Sequence, residues 1–208
     1  IATEGFKADL HTDTPYSITT DASYIFLTDK YPGEFFVQDR ASQIASEAFG
    51  AETGESILDA CAAPGGKSFY SALRMNNEGK VVSCDIHKNK PALIFSGAEA
   101  LGITIIEPVL SDSSKPDKRF KKKMFDRVLC DVPCSGLGVI AKKPDIRYKD
   151  REQIKELPEK QYAILENCSN YVKSGGIIMY STCTLVPDEN EGVANRFTKS
   201  HPEFEYIS

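Results

Sequence analysis

Residues 56–68 read SILDACAAPGGKS, an apolar run that passes through a pair of glycines into a helix-like stretch. The run Ser56 to Ala60 is short and apolar, which is typical of a strand that helices cover on both faces. The adjacent Gly65 and Gly66 allow the backbone to approach a ligand closely, and the helix start that follows favours a carboxylate or phosphate. This order of strand, glycine loop and helix indicates an α/β fold with a ligand site after the strand.

Strand-like and helix-like stretches alternate along the remainder of the chain. Apolar runs predict four more strands, at residues 80–85, 103–108, 125–131 and 176–181. Helical patterns predict five helices, at residues 39–49, 66–75, 88–101, 151–172 and 188–199. Pro158 should kink or divide the fourth helix, because proline lacks the N–H that a helix interior needs. The alternation predicts a three-layer α/β domain, with a mostly parallel sheet and helices on both faces.

The first 34 residues differ from the rest, because they show only weak, short β-like runs and a Tyr31-Pro32-Gly33 turn. We predict residues 1–34 to be an N-terminal arm or the remnant of a preceding subdomain, and residues 35–208 to be the main domain. The chain begins at Ile1 rather than at Met and ends just after a strand-like stretch. We therefore expect an excised piece of a longer protein.

The amino-acid composition restricts the classes of protein to which this chain can belong. With 208 residues, 41% of them hydrophobic, the chain is long enough for one full core and short for two complete domains. It has no apolar run of about 18 residues and no basic-then-apolar leader, so we predict neither a membrane span nor a secretory signal. Its six cysteines sit in a chain too large and regular for a disulfide scaffold, which predicts reduced thiols and a cytoplasmic protein. Since no CxxC or HxxxH pair occurs, we expect no metal site.

The net charge of −5 does not indicate a nucleic-acid binder, but it averages over two basic runs. Six of the nine residues in Lys115–Lys123 are basic, as are five of the ten in Lys142–Arg151. A solvated face is the better interpretation of the first run, whereas for the second a solvated face and a functional surface are about equally supported.

The end of the glycine loop resembles a site for nucleoside triphosphates, since Gly66-Lys67-Ser68 matches the end of the pattern GxxxxGK[ST]. Two residues count against that interpretation. Cys61 stands where the pattern needs its first glycine, and Pro64 removes a backbone N–H from the part that should surround phosphates. We therefore reject the triphosphate site.

Acidic residues follow the next two predicted strands. Asp85 ends the second strand 19 residues after Gly66, about where a carboxylate reaches ribose hydroxyls in βαβ nucleotide sites. Asp112 follows the third strand. Each of these residues is also suited to a helix cap or turn. Taken with the glycine loop, they favour a ligand that contains adenosine.

Two cysteines follow the last two predicted strands, Cys134 in the segment DVPCSGLG and Cys183 in STCT. The other four cysteines lie in apolar strand or helix context, where a small buried side chain is the simplest interpretation. A turn rich in Pro, Gly, Ser and Thr is a poor place to bury a thiol. Both thiols are thus predicted at the ligand crevice, where a thiolate can act as a nucleophile.

Four segments together identify a family: FVQDRAS (36–42), DACAAPGGK (59–67), DVPCSGLG (131–138) and STCTLVPDENE (181–191). In this order they resemble the RNA 5-methylcytosine methyltransferases of the RsmB/NOL/NSUN group, most closely the RsmB (Sun or Fmu) branch, which modifies small-subunit (16S) ribosomal RNA. The resemblance covers about residues 35–200. It implies a Rossmann-like, S-adenosylmethionine-dependent methyltransferase fold, in which residues 35–208 form the catalytic domain.

The resemblance also assigns roles. It implies that the methyl donor S-adenosylmethionine is bound by Cys61, Ala62, Ala63, Pro64, Gly65, Gly66, Lys67, Asp85, Asp112 and Asp131. It makes Cys183 the nucleophile that adds to carbon 6 of cytosine, and Cys134 the group that assists release of the methylated product. Asp131 and Lys67 would lie near the target base, where hydrogen bonds stabilise developing charge. Lys142–Arg147 matches a basic Pro-Asp stretch of the family and lies in a long loop, which suggests contact with substrate.

Two alternatives stay open. In one, Cys134 is the nucleophile, as in DNA cytosine methyltransferases, which place theirs in a similar Pro-Cys turn. In the other, the chain is a methyltransferase-like scaffold without activity. The expected partner is RNA, with no membrane partner, and the chain is expected to be a monomer. Nothing in it matches the N-terminal RNA-binding domain, related to the antitermination factor NusB, that RsmB-type proteins carry, so we expect that domain to be absent from this fragment.

Overall fold

The protein was analysed as a computed structural model that describes residues 1–207. Its strands form a two-stranded antiparallel sheet near the N-terminus and a five-stranded sheet in the order β5-β4-β3-β6-β7. The strands are β1 (Ala8–Leu10), β2 (Ile18–Thr20), β3 (Ser56–Asp59), β4 (Lys80–Asp85), β5 (Ile106–Leu110), β6 (Phe125–Asp131) and β7 (Val172–Ser181). The helices are α1 (Tyr24–Lys30), α2 (Arg40–Phe49), α3 (Gly66–Arg74), α4 (Lys90–Ala100), α5 (Arg151–Lys155), α6 (Leu157–Ser169) and α7 (Glu191–Ser200).

The large sheet is the predicted parallel one. The pairs β4 with β5 and β6 with β7 are both parallel, and helices flank the strands along the chain. The strand order reverses at β3, since β4 and β5 continue to one edge and β6 and β7 to the other. Open α/β sheets bind ligands beyond the carboxyl ends of the strands at such a reversal. The predicted α/β class is confirmed.

Two compact units make up the described chain, one of residues 1–57 and 62–110, the other of residues 58–61 and from 111 onward. In the first unit, a core cluster forms around Phe69 of α3 and Ile94 of α4. In the second, α6 packs against β6 and α7, and Phe125, Leu129 and Leu165 are buried. The predicted boundary at residue 34 stays a prediction, and Ser208, the last residue of the predicted main domain, lies outside the described residues.

The third strand begins later than predicted, at Ile106 rather than at residue 103. Ile103 instead closes the turn after α4, because its N–H donates to Ala98 O at 2.9 Å. The N–H of Thr104 donates to the side chain of Asn77 at 2.9 Å. The apolar run therefore begins with a buried core residue, Ile103, that lies outside the strand, and the strand itself begins three residues later.

The predicted helix 151–172 is two helices, and the division falls at Glu156, just before Pro158. The expected effect of this proline is thus confirmed, although the second helix already ends at Ser169. Residues from Val172 onward belong to β7, which begins earlier than predicted and pairs with β6 through an irregular stretch between Phe125 and Arg127.

The N-terminal residues contain a helix that the sequence pattern did not predict. Ser23 caps α1, because its Oγ accepts a hydrogen bond from Phe26 N at 3.1 Å. The helix reads YIFLTDK, whose aromatic and branched residues favour a strand as readily as a helix. At the other end of the chain, the predicted helix 188–199 consists of a 3-10 turn at Pro187–Glu189 followed by α7.

No helix within residues 1–207 is long and apolar enough to cross a membrane.

Candidate active site

The ends of β6 and β7 are joined at their last residues, and the two cysteine loops leave from there. Asp131 ends β6, and its Oδ1 accepts a hydrogen bond from the Oγ of Ser181, which ends β7, at 2.7 Å. The next N–H, that of Val132, donates to Ser181 O at 3.1 Å. Because the strands are parallel and end in register, both loops begin on the same edge of the sheet.

These loops bring the two predicted thiols into contact. The Sγ atoms of Cys134 and Cys183 are 3.1 Å apart, and the N–H of Cys183 donates to Cys134 Sγ at 3.3 Å. Cys183 is exposed and Cys134 partly buried, while Cys84, Cys130 and Cys168 are buried as predicted. Cys61, the fourth cysteine for which burial was predicted, is instead partly exposed. The sequence pattern predicted a shared location for this pair, and the structure confirms it.

The two thiols differ in acidity. The pKa of Cys183 is lowered to about 6. The main cause is the hydrogen bond from Cys134, and the charge of Lys143 acts in the same direction, while burial and the nearby Asp131 carboxylate oppose the shift. The same hydrogen bond, together with burial, raises the pKa of Cys134 far above its usual value. At neutral pH, Cys183 is therefore a thiolate and Cys134 holds a proton beside it.

Two glycines allow the loop after β6 to pass close to Cys183. A Cβ on Gly138 would lie 2.9 Å from Cys183 O, and the Gly138 N–H donates to that oxygen at 3.1 Å. Gly136 has a positive φ of 77°, and a Cβ there would lie 3.0 Å from Ile146 Cδ1. The segment DVPCSGLG needs glycine at 138 because its backbone touches the loop that carries the other cysteine, and at 136 because of the positive φ.

The predicted basic stretch lies beside the thiols. Ile146 is buried and anchors a 3-10 helix at Pro144–Tyr148, while Lys142, Lys143 and Arg147 are exposed. Lys149 Nζ donates to Ser135 O at 2.9 Å and Cys134 O at 3.3 Å. The stretch thus holds the cysteine loop and presents positive charge next to Cys183.

Sequence analysis missed two residues of this site, Glu189 and Gln161. Both are buried, and the Glu189 carboxylate accepts hydrogen bonds from Gln161 Nε2 at 2.9 Å and Ser135 N at 2.8 Å. Glu189 belongs to the segment STCTLVPDENE, but the sequence does not tell which of its three acidic residues points inward. Only the register of the 3-10 turn at Pro187–Glu189 decides that.

Two residues that were predicted to bind the cofactor, Cys61 and Asp112, belong to the same unit as the two thiols and lie near the end of β3. Cys61 directly follows Ala60, whose N–H donates to Leu129 O of β6 at 2.9 Å and whose carbonyl accepts from Ser113 Oγ at 2.7 Å. The neighbouring Asp112 closes a turn, with its Oδ1 accepting from Ser114 Oγ at 2.6 Å. Hydrogen bonds from Lys115 and Ser114 hold the pKa of Asp112 below its usual value, so the carboxylate is ionised.

The glycine loop belongs to the other unit and is fixed at both ends. Its first N–H, that of Ala62, donates to Cys84 O in β4 at 2.8 Å, and Gly65 N donates to Ala62 O at 2.7 Å. Gly65 precedes α3 with φ 117°, and a Cβ there would lie 2.4 Å from the ring of Phe69. No side chain caps the start of α3, so its N–H groups are oriented for a carboxylate ligand.

The remaining loop positions were predicted to contact the donor. Ala63 and Pro64 are joined by a cis peptide bond, and Lys67 is partly buried in the first turn of α3. At the end of β4, Asp85 Oδ1 accepts from His87 N at 2.9 Å and lies 3.0 Å from His87 Nδ1. One carboxylate oxygen of Asp85 therefore stabilises the turn after β4, which is one of the two roles that the sequence allowed for this residue.

The comparisons with known proteins agree on one family. A family model described as "16S rRNA methyltransferase RsmB/F" matches residues 48–208. A Bacillus subtilis protein named "Probable ribosomal RNA small subunit methyltransferase B" is 45% identical over 174 residues, which are 83% of this chain and 39% of that protein. The chain thus spans about two fifths of the length of this relative.

Solved structures agree with this result. The crystal structure of PH0851 is 31% identical, with a TM-score of 0.90, and the match covers 98% of this chain and 47% of that one. The structure of NSun6 from Pyrococcus horikoshii with SFG is 27% identical, with a TM-score of 0.77, and the match covers 88% and 48% of the two chains. The predicted Rossmann-like methyltransferase fold is confirmed.

Proposed function

The chain belongs to the RsmB/F family of 16S rRNA methyltransferases, and from that membership we propose that it methylates carbon 5 of a cytosine in RNA, using S-adenosylmethionine as the methyl donor. The substrate that the relatives' names favour is small-subunit ribosomal RNA. The observation that carries the proposal is the contact between two unequal thiols, with Sγ atoms 3.1 Å apart.

The reaction needs a nucleophile, because carbon 5 of cytosine is not nucleophilic while the ring is aromatic. In the proposed mechanism the Cys183 thiolate adds to carbon 6, and the electron pair of the 5,6 double bond becomes available at carbon 5. Bound S-adenosylmethionine supplies the electrophilic methyl group to that carbon. A low pKa of Cys183 suits this role, since the thiolate is present at neutral pH without a separate base.

Product release requires that the proton on carbon 5 leaves and the bond from Cys183 Sγ to carbon 6 breaks. We assign Cys134 to this step, because its Sγ is within hydrogen-bond distance of Cys183 Sγ. Cys134 gives its proton to Cys183 Sγ as the bond to carbon 6 breaks, and the resulting Cys134 thiolate takes the proton from carbon 5, whose bonding electron pair restores the 5,6 double bond. We place Asp131 near the base, since its charge already acts on Cys183, and retain Lys67 as a second proposed contact from the family resemblance.

The contacts with the methyl donor are proposed residue by residue. The uncapped start of α3 suits the carboxylate of S-adenosylmethionine, and Asp85 suits its ribose hydroxyls. The other proposed contacts come from the resemblance and are Cys61, the loop residues Ala62 to Lys67, Asp112 and Asp131. A relative solved with SFG, an analogue of S-adenosylmethionine, supports this class of ligand.

The proposal is tested by trapping the covalent intermediate. RNA that contains 5-fluorocytosine cannot lose its substituent at carbon 5, so an enzyme that adds to carbon 6 stays attached to it after methyl transfer. We expect the wild type and Cys134→Ala to give an adduct on a denaturing gel, and Cys183→Ala to give none. Absence of an adduct in the wild type, with methyl donor and RNA both shown to bind, overturns the proposal.

The same experiment tests the reverse assignment of the two cysteines. One observation favours that assignment, since the Cys183 N–H donates to Cys134 Sγ and would stabilise a thiolate there. If Cys134→Ala alone abolishes the adduct, Cys134 is the nucleophile. A scaffold without activity is tested separately by calorimetry with S-adenosylmethionine, where lack of binding favours the scaffold.

A further inference from the structure

Glu189 is a buried carboxylate that none of the roles above explains. It is 1% exposed and ends the 3-10 turn that follows the Cys183 loop. Its Oε2 accepts from Ser135 N at 2.8 Å and from Gln161 Nε2 at 2.9 Å. Its Oε1 has no hydrogen-bond partner within the described residues.

The hydrogen bonds of this carboxylate fix the backbone on both sides of Cys134. On one side Glu189 accepts the N–H of Ser135, and on the other Gln161 Nε2 donates to Pro133 O at 3.0 Å. Gln161 is itself held by Glu189. Neither peptide group next to Cys134 can therefore rotate without breaking one of these hydrogen bonds, and a polar group left unpaired away from water is unfavourable.

The same residues join the two cysteine loops to each other. The carbonyl of Glu189 accepts from Tyr180 OH at 2.6 Å, next to the end of β7. Ser135 and Thr184, each directly after one cysteine, are linked through their hydroxyl oxygens at 2.7 Å. Glu189 thus lies in one loop and holds the backbone of the other.

A carboxylate is a costly way to hold two loops together. Burying a polar oxygen without a hydrogen-bond partner is unfavourable, and Oε1 of Glu189 has none within the described residues. Such groups in native structures call for an explanation. One of its hydrogen bonds comes from the loop of Cys134, and the other comes from Gln161, which itself donates to that loop, so the geometry of the thiols is the explanation that these contacts favour.

We propose that Glu189 is a positioning residue that holds Cys134 Sγ within hydrogen-bond distance of Cys183 Sγ. The geometry itself does not depend on the proposed function, whereas its value for catalysis rests on the proposed roles of the thiols. Hydrogen-bond acceptance rather than charge is what the geometry requires. A glutamine places its carbonyl oxygen where Oε2 lies and should do the same.

The first test needs no RNA. The rate of iodoacetamide alkylation of Cys183 is measured between pH 5 and 10 by site-resolved mass spectrometry, for the wild type, Glu189→Ala, Glu189→Gln and Glu191→Ala. Glu191 is an exposed carboxylate of the same segment and serves as the matched control. We expect Glu189→Ala to move the midpoint of alkylation upward by about one pH unit or more, and the other two variants to keep the wild-type midpoint.

Circular dichroism shows whether each variant is folded. If Glu189→Ala does not fold, Gln161→Met is the deciding variant, because it removes the bond to Pro133 O and one bond to Glu189 while keeping a side chain of similar length. A folded Glu189→Ala protein, or in its place a folded Gln161→Met protein, that keeps the wild-type midpoint overturns the proposal. Loss of the wild-type midpoint in Glu189→Gln would show that charge, and not position, is what matters.

The second test separates this inference from the proposed function. In methylation assays on ribosomal RNA, we expect Glu189→Ala to lower kcat about tenfold with KM for RNA within about twofold, and Glu189→Gln to restore kcat. If the wild type traps no adduct but the alkylation shift is present, the positioning role stands and the proposed reaction fails. If the wild type is active and Glu189→Ala has the same kcat, the positioning role fails.

Discussion

At the residue scale, the proposed chemistry depends on a difference between two identical side chains. Cys134 and Cys183 touch, yet the hydrogen bond to Cys183 and partial burial raise the pKa of Cys134, whereas the same hydrogen bond and the nearby Lys143 lower the pKa of the exposed Cys183. Their types and their places after strands could be predicted from the sequence. Their unequal acidity could not, because it depends on which thiol donates and on burial of the loops.

The first prediction concerns pH. Because the folded-state pKa of Cys183 is lowered to about 6, its thiolate should be present above that pH and lost as the pH falls through it. Alkylation of Cys183 should therefore reach its plateau near pH 7 to 7.5, at roughly one unit above the pKa. In Cys134→Ala the main cause of the lowered pKa is gone, and the midpoint should rise by about two units towards that of a free thiol. An unchanged midpoint in this variant would contradict the assignment of Cys134 as hydrogen-bond donor.

The second prediction concerns oxidation of the pair. Since the Sγ atoms are 3.1 Å apart, the oxidant diamide should take two electrons and two protons from the thiols and leave a disulfide after a small movement of the loops. Methyltransferase activity should fall with formation of this bond and return with dithiothreitol. Peptide mass spectrometry without reduction detects the cross-link, and Cys61, which is partly exposed, serves as an internal control that should stay reduced. Inactivation without the Cys134–Cys183 cross-link would contradict the prediction.

At the scale of elements, the strands that position the site were easier to predict than the segments between them. β4 and β6 have the predicted bounds because each apolar run ends at an Asp that is also the last residue of the strand. β5 and α1 were predicted wrongly or missed, since a core residue at 103 extends one apolar run and a polar cap at 23 begins an aromatic helix. A local sequence pattern predicts the bounds of an element correctly where the tertiary contacts favour the same structure.

The third prediction concerns the start of α3. Gly65→Ala should be destabilising twice over, because alanine is strained at φ 117° and its Cβ would lie 2.4 Å from the Phe69 ring. Gly54 is the matched control, with φ 86° and open space around a Cβ. We expect Gly54→Ala to cost about 1 kcal/mol from strain alone and Gly65→Ala about 3 kcal/mol, as measured by urea unfolding. Gly65→Ala should also weaken S-adenosylmethionine binding, and equal costs for the two variants would show that the contact with Phe69 is unimportant.

At the scale of the whole molecule, a net charge of −5 has to be reconciled with the proposed RNA substrate. Phosphate contacts act locally, because ions screen charges beyond about 8–10 Å at physiological salt. The basic residues near Cys183 therefore matter more for binding than the average over the chain. The two basic runs allow a direct comparison, since both are largely exposed and belong to the same unit.

The fourth prediction makes that comparison. The double variant Lys142→Ala and Arg147→Ala should weaken binding of a ribosomal RNA fragment. Each lost phosphate contact should also lower the slope of log Kobs against log salt concentration, by about 0.7 for single-stranded RNA. The control is Lys118→Ala with Lys121→Ala in the other basic run, which should change neither quantity beyond the general effect of two charges. Filter binding between 50 and 300 mM KCl measures both quantities, and alkylation of Cys183 checks that the thiol pair is intact.

If the two double variants lose the same affinity and the same slope, net charge governs binding and the 142–147 stretch has no special contact with RNA. If only the first variant loses them, RNA lies across the residues that flank Cys183, as the proposed addition of that thiolate to a cytosine requires.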